Sequence, residues 1–440
     1  GAANINTSVI TGYLNAGTSV IVVNNSAGSI VNSNITKTTG AAASLTLKDI
    51  GYIKVADNIS ISSSSNALDI ILWSDHDLSQ SGTVNDFIYC GIGSSFTSNG
   101  GKIVMAGGPD NGSNGGVNAD GIPDGFAWNG SNDVASGAST IGGLTLGPLG
   151  GSGTVISLSS NGGEIILRGS TSNNNSYPGV ASQGNLVINA GTGKITMYGK
   201  SVTGHGVELT YGASPNLAIS SSSTSVPAID LKGTTTTGGY SGFWASNNAT
   251  GNILIQSTAA SGGGITIEGI ASTGYGVFFG TASSSITTQL LSQTGAIILK
   301  GDGGANLSLA LYGDVYTGNR KDATAVQGVT PAVTGSTANI LIQADDQFQF
   351  SATATKNSNF NSTGSLTIEA YTAAYAGTIS WTGNTVFGSG FSSITLGESA
   401  ENYSVTVNNT LTAAGPITAY ANNFSFANGI GLTSSTPSDI

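Results

Sequence analysis

"GKITMYGKSVTGHGVEL", residues 193–209, aligns without gaps on "GGITIEGIASTGYGVFF", residues 263–279, and eight of the 17 positions are identical. Shorter relatives of this block begin at Asn99 (NGGKIVMAGG), Asn161 (NGGEIILRGS), Gln293 (QTGAIILKGD) and Ser362 (STGSLTIEAY). Each joins a glycine turn to a stretch whose large apolar residues stand two apart, the period of a strand with one buried face. In the Asn161 block, Ile165 and Leu167 fall on one face, with Ile166 and Arg168 on the other. In the second long block, Ile265 and Ile267 oppose Thr266 and Glu268.

The alternation continues upstream, where Leu45, Leu47, Ile53, Val55, Ile59, Ile61, Leu68, Ile70 and Leu72 form one apolar set. No helical pattern of ten or more residues interrupts it. Units this short cannot bury an apolar face alone, so they must stack on one another. The expected fold is all-β, a right-handed parallel β-helix forming one unit over residues 1–440, with a long inserted loop over 107–139. At about 20–25 residues per coil and ~4.8 Å per strand, the chain would make a rod of roughly 90–100 Å. An array of β-sandwiches is the alternative, and it calls for more regular Asn-Gly hairpins.

Composition agrees with many turns and a continuous β architecture: 66 Gly, 9 Pro and 8% charged residues. Recurrent Ile, Val and Thr separate it from disordered chains. The net charge is −11, and Arg168 and Arg320 are the sole arginines among 12 basic residues, which argues against a nucleic-acid partner. No apolar run approaches the ~20 residues of a membrane span. Cys90 is alone, so no internal disulfide forms, and scarce cysteine suits export in unfolded form. The opening "GAANINTSVI" has no initiator Met, basic region or apolar leader and reads as a processed chain or a piece of one.

The run "SLTLKDIGYIKVADNISISSSSNALDIILWSDHD" from Ser44, followed by "FTSNGGKIVMAGG" from Phe96, resembles the repeat region of filamentous-haemagglutinin-like exoproteins. That family includes the high-molecular-weight adhesins exported by two-partner secretion. The upstream "LNAGTSVIVVNNSAGSIVNSNITKTTGAAASLTLK" and the closing "SVTVNNTLTAAGPITAYANNFSFANGIGLTSS" resemble the same repeats, so the likeness covers most of the chain. It implies a secreted adhesin at the bacterial outer surface, exported by an outer-membrane partner transporter. The family's amino-terminal Asn-Pro-Asn motifs are absent, which points to a segment of the passenger rod.

Chemical constellations are few. Trp73, Asp75, His76 and Asp77 follow an apolar strand and read as a solvated turn. His205 takes the place of Tyr275 in the aligned block, so it reads as a turn-region side chain, because a phenol cannot replace a ligand or general base. The outward positions Arg168, Tyr198, Glu268, Lys300 and Glu369 read as surface decoration, not an acid cluster. The least repetitive stretch, 107–133, holds Asn118, Asp120 and Asp124 around Gly121 at a spacing close to that of calcium loops. Asp110 and Asp133 are further candidate ligands, and Ca2+ is the one cofactor the sequence suggests; an Asx-rich turn is the competing reading. Phe126 and Trp128 in that loop, and Tyr240, Phe243 and Trp244 in a second aromatic loop, suit either sugar stacking or the covering of a neighbouring coil. Asn-x-Ser/Thr triplets recur at Asn111, Asn129, Asn248 and Asn408.

The leading expectation is an adhesin rod that presents loops to glycans or other receptors on cells or matrix. A β-helix enzyme acting on polysaccharide is the second, and it requires carboxylates from different coils to converge. A passive stalk is the third.

Overall fold

A computed structural model describes residues 3–435 except 5, 26–27, 78–84, 131–141, 148–153, 173–175, 212–215, 246–249, 281–284, 305–306, 346, 351–355, 373–374, 376 and 400–402. The chain is a parallel β-helix. Three long sheets of 14, 11 and 15 strands run along it, and successive strands in each come from successive coils. One coil shows the plan: Ile195–Ser201 lies in the 15-stranded sheet, Val207–Tyr211 in the 14-stranded sheet and Leu217–Ser221 in the 11-stranded sheet. Ile229–Thr235 then returns beside the first strand, with Ile195 paired to Ile229 and Met197 to Leu231.

The alternation in the sequence decides which side chains enter. Ile165, Ile195, Ile229, Ile265 and Ile297 form one inward column, and all are 0% exposed. Further along, the core is aromatic: Phe348 stacks on Trp381 with ring centroids 5.5 Å apart, and Phe360 stacks on Phe387 at 5.4 Å. At the amino-terminal end a helix, Thr7–Asn15, turns Ile10 and Leu14 into the same core. No helix among the described residues is long and apolar enough to cross a membrane.

Glycine recurs in the blocks because the corners are crowded. A Cβ on Gly199 would fall on the carbonyl oxygen of Gly206, and one on Gly269 would fall on that of Gly276. Those contacts hold the strand of the 15-stranded sheet tightly against the start of the next.

The rod is shorter than the sequence suggests. Leu45 pairs with Ile70, 25 residues on, but Met197 pairs with Leu231, 34 on, and Leu299 with Ile342, 43 on. Three strands and three corners consume more residues than a minimal coil, so 13 coil strands along the 15-stranded sheet give about 60 Å. Between Met105 and Leu167 the step is 62 residues, which accommodates the expected long loop. A second insertion, residues 319–339, turns Val326 and Val333 onto Ala218, Leu254 and Leu291 outside the 11-stranded sheet.

Candidate functional site

The outer face of the 15-stranded sheet carries the site. After the strand Ile103–Gly107, the loop folds back so that Ile122, like Ile166, packs on Ile71, Trp73, Val104 and Ala106. The Trp73 indole N–H donates to the Gly108 carbonyl at 2.9 Å, and the Lys48 ammonium lies 3.8 Å from its ring centroid. A loop thus covers the outward Ile71 and Trp73.

Asp124 organises that loop. Its carboxylate accepts the backbone N–H groups of Asn111 at 2.9 Å and Gly112 at 2.6 Å, and stands 3.8 Å from the Arg168 guanidinium. Arg168 donates to the carbonyls of Pro123 at 3.0 Å and Asn114 at 3.1 Å. Burial pushes this guanidinium below its usual range, and Asp124 acts in the opposite sense. Read as surface decoration in the sequence, Arg168 is 3% exposed and pins the loop to the rod.

The candidate calcium ligands are turned to the backbone. Asp110 accepts the N–H groups of Asp120 and Gly121, Asp120 accepts that of Ile122, and Asn118 is exposed. These are Asx-type turns, with a guanidinium beside Asp124. Asp133 lies outside the described residues. Among the described residues no group of three or more His, Cys, Asp or Glu is arranged to hold a metal ion.

Two cavities adjoin at the loop tip, both lined by Asn114, Gly115 and Tyr198. The smaller, about 210 Å³, extends past Arg168 to Lys194, Glu164 and Lys102. The larger, about 430 Å³, is bounded by Phe126, Lys200, Asp230, Lys232, Thr234 and Glu268. Together they make a groove crossing five neighbouring strands, from Ile103–Gly107 to Ile265–Ala271. Register builds this surface: Arg168, Tyr198, Lys232, Glu268, Lys300, Gln343 and Glu369 form a single outward column.

Ion pairs tie the groove together. Lys102 meets Glu164 at 3.1 Å, Lys194 meets Asp230 at 3.6 Å and Lys232 meets Glu268 at 2.9 Å. The Tyr198 hydroxyl donates to Asp230 at 2.8 Å and the Tyr371 hydroxyl to Glu268 at 2.9 Å. Burial, and then the neighbouring Asp230 carboxylate, push the Tyr198 phenol upward, so it serves as a donor. Lys194, Lys200, Asp230 and Lys232 were not singled out in the sequence. Asp230 and Lys232 stand in "IDLKG", residues 229–233, which repeats the strand-plus-glycine pattern of "ITMYG" and "ITIEG", and Lys194 and Lys200 flank "ITMYG" itself.

The predicted aromatic residues divide. Phe126 lines the larger cavity, with the Lys200 ammonium 4.4 Å from its ring centroid. Trp128 is half-buried on the short strand Ala127–Asn129 that pairs with Gly169–Thr171. Phe243 is 0% exposed in the main core, 5.5 Å from Phe279, and cannot touch a ligand. Its position matches Val207 and Val277 in register, and those point inward. Tyr240 and Trp244 lie away from the groove, around His205 beside the 14-stranded sheet: Trp244 stacks on the imidazole at 4.7 Å, and Tyr240 meets it edge-on at 5.1 Å. His205 Nδ1 accepts the Ser241 N–H at 3.0 Å, and burial lowers its pKa to about 3, so the ring is neutral.

The Asp75 corner also departs from expectation. Asp75 is 0% exposed, not solvated, and Asp49 and Asp86 are equally buried. Asp49 is well supplied, accepting from Asn24, Ser29 and the Gly51 N–H. Among the described residues, neither Asp86 carboxylate oxygen has a hydrogen-bond partner. The strand Asn85–Asp86, antiparallel to Trp128–Asn129, helps enclose this corner. Of the Asn-x-Ser/Thr triplets, Asn111 is exposed, Asn129 is 1% exposed, and Asn408 is half-buried, donating to the Trp381 carbonyl. Asn248 lies outside the described residues.

No family model, curated protein or solved structure matches the chain.

Proposed function

We propose that this chain is a rod segment of a secreted adhesin of the filamentous-haemagglutinin type. It is exported through an outer-membrane partner transporter and held at the bacterial surface, where its groove binds glycans on cells or matrix. The observation that carries the reading is the pair of adjoining cavities across five strands, walled by a loop that a buried arginine pins in place. Alternating donors and acceptors beside Tyr198 and Phe126 suit polyhydroxylated rings, which need many polar contacts and an aromatic face. Fold alone does not fix this function.

A polysaccharide-cleaving enzyme is the second reading, because Asp230 and Glu268, from adjacent coils, line one cavity. Glycoside hydrolysis of that kind uses two carboxyl groups placed on either side of the scissile bond, whereas here each is already engaged by a lysine, Asp230 by Lys194 at 3.6 Å and Glu268 by Lys232 at 2.9 Å. Binding to a broad glycan array, compared between the wild-type chain and Tyr198→Ala, tests the first reading. Binding lost in the variant supports the groove, while silence of the folded wild-type chain on every glycan removes it in favour of a stalk. Sugar products released by the wild type and lost with Asp230→Asn would establish the enzyme instead.

A further inference from the structure

We propose that the groove takes a linear, uronate-bearing glycan, lying across the strands, with a sugar carboxylate at Lys200 in the larger cavity. This rests on the glycan-binding reading above and adds the ligand's charge and shape.

Charge accounting leads to Lys200. Five of the chain's 12 basic residues, Lys102, Arg168, Lys194, Lys200 and Lys232, line these two cavities of a chain with net charge −11. Four of them face a carboxylate: Glu164, Asp124, Asp230 and Glu268. Lys200 has no carboxylate partner among the described residues, and its ammonium sits over the face of Phe126. Partial burial, and then the neighbouring Lys232 charge, disfavour the Lys200 ammonium, so an arriving anion would relieve a repulsion. The two acids in the same cavity do not oppose that anion strongly, because Asp230 is held by Lys194 and Tyr198, and Glu268 by Lys232 and Tyr371. An ammonium on an aromatic face, beside the Thr234 hydroxyl, matches a sugar carrying one carboxylate.

Shape gives the second half. The cavities share Tyr198 and the Asn114–Gly115 tip and open on opposite sides of it. Five strands at ~4.8 Å spacing give a groove about 19 Å long, the reach of about four sugar rings. A single terminal sugar would fill one cavity and leave the other unused.

The test uses hexamers of galacturonate, mannuronate, guluronate and hyaluronan, each beside its methyl ester, which keeps the shape and removes the charge. Calorimetry is run with the wild-type chain, Lys200→Gln and Lys200→Arg. At least one acid hexamer is expected to bind the wild type roughly tenfold more tightly than its ester, and Lys200→Gln should abolish that difference. Lys200→Arg should restore it, and dimers should bind far more weakly than tetramers. Thermal melts of the variants establish that they remain folded. Equal binding of acid and ester overturns the inference, as does binding of uncharged glycans from the array with silence on the whole uronate panel. Silence on every glycan overturns the binding reading itself.

Discussion

Replacing Asp86 with Asn should make the protein more stable at alkaline pH and nearly indifferent at acid pH. The Asp86 carboxyl is fully buried, and neither oxygen has a hydrogen-bond partner among the described residues. Its pKa rises from 3.8 to about 7, first through burial and then through the charges of Asp75, Asp77 and Asp49. The folded chain therefore holds this proton over a range in which the unfolded chain releases it. The stability it confers is complete below about pH 4 and is lost as pH rises through about 7. A shift of about three pH units corresponds to roughly 4 kcal/mol of folding free energy between those limits. Asparagine keeps the shape and stays neutral, so the variant should gain up to about that amount near pH 8 and little near pH 4. Urea denaturation of both proteins at several pH values measures the difference. A second buried acid, Glu208, whose burial raises it from 4.5 to about 7, leaves a residual slope of the same sign in Asp86→Asn. Parallel stability curves for the wild type and Asp86→Asn would refute the reasoning, as would a wild type that gains stability between about pH 5 and 8 where the variant does not.

Arg168→Met should release the loop without dissolving the rod. Asp124 loses its buried counter-charge, a loss on the order of 3–5 kcal/mol, and limited proteolysis should cut within 108–126 while far-ultraviolet dichroism stays unchanged. Trp381→Ala removes a 0%-exposed ring stacked on Phe348 and should lower stability by about 3–5 kcal/mol in denaturant titration. Calcium in millimolar excess should move the melting temperature by less than about 1 °C relative to chelator, because Asp110, Asp120 and Asp124 already accept backbone N–H groups. A rise of several degrees would place a cation in the loop.

Much of the fold is legible because a strand's two-residue period is local: Ile165 and Leu167 enter the core, as their spacing requires. The site is less legible because its neighbours are lateral. Lys194 and Asp230 are 36 residues apart in sequence but close in space, since Thr196 pairs with Asp230 across adjacent coils. Alternation says that a residue faces outward, not whether anything covers it. Trp73 and Arg168 are outward by pattern and buried in fact, because the inserted loop lies over both. Asp75 likewise follows a strand as turn residues do, and only the tertiary fold encloses it. Phe243 covers the core, and its place is legible: it follows Gly242 as Val207 follows Gly206 and Val277 follows Gly276, and the three pair in register.

This division follows from how a solenoid tolerates change. The 62-residue step from Met105 to Leu167 leaves the inward column unbroken, because Ile103 still pairs with Ile165 and Ile165 with Ile195. An insertion at a corner costs the core little, provided that its ends return in register. The loop must then find its own anchors on a pleated outer face. Here apolar contacts from Ile122 supply one, and Arg168, reaching three sites on the loop, supplies the other. Holding the tip over Tyr198 turns an open sheet into a groove with two compartments. The core column sets the spacing of the groove's charged residues, while the insertion supplies its wall, so the groove can change through outward side chains and loops without altering the inward ladder that holds the coils together.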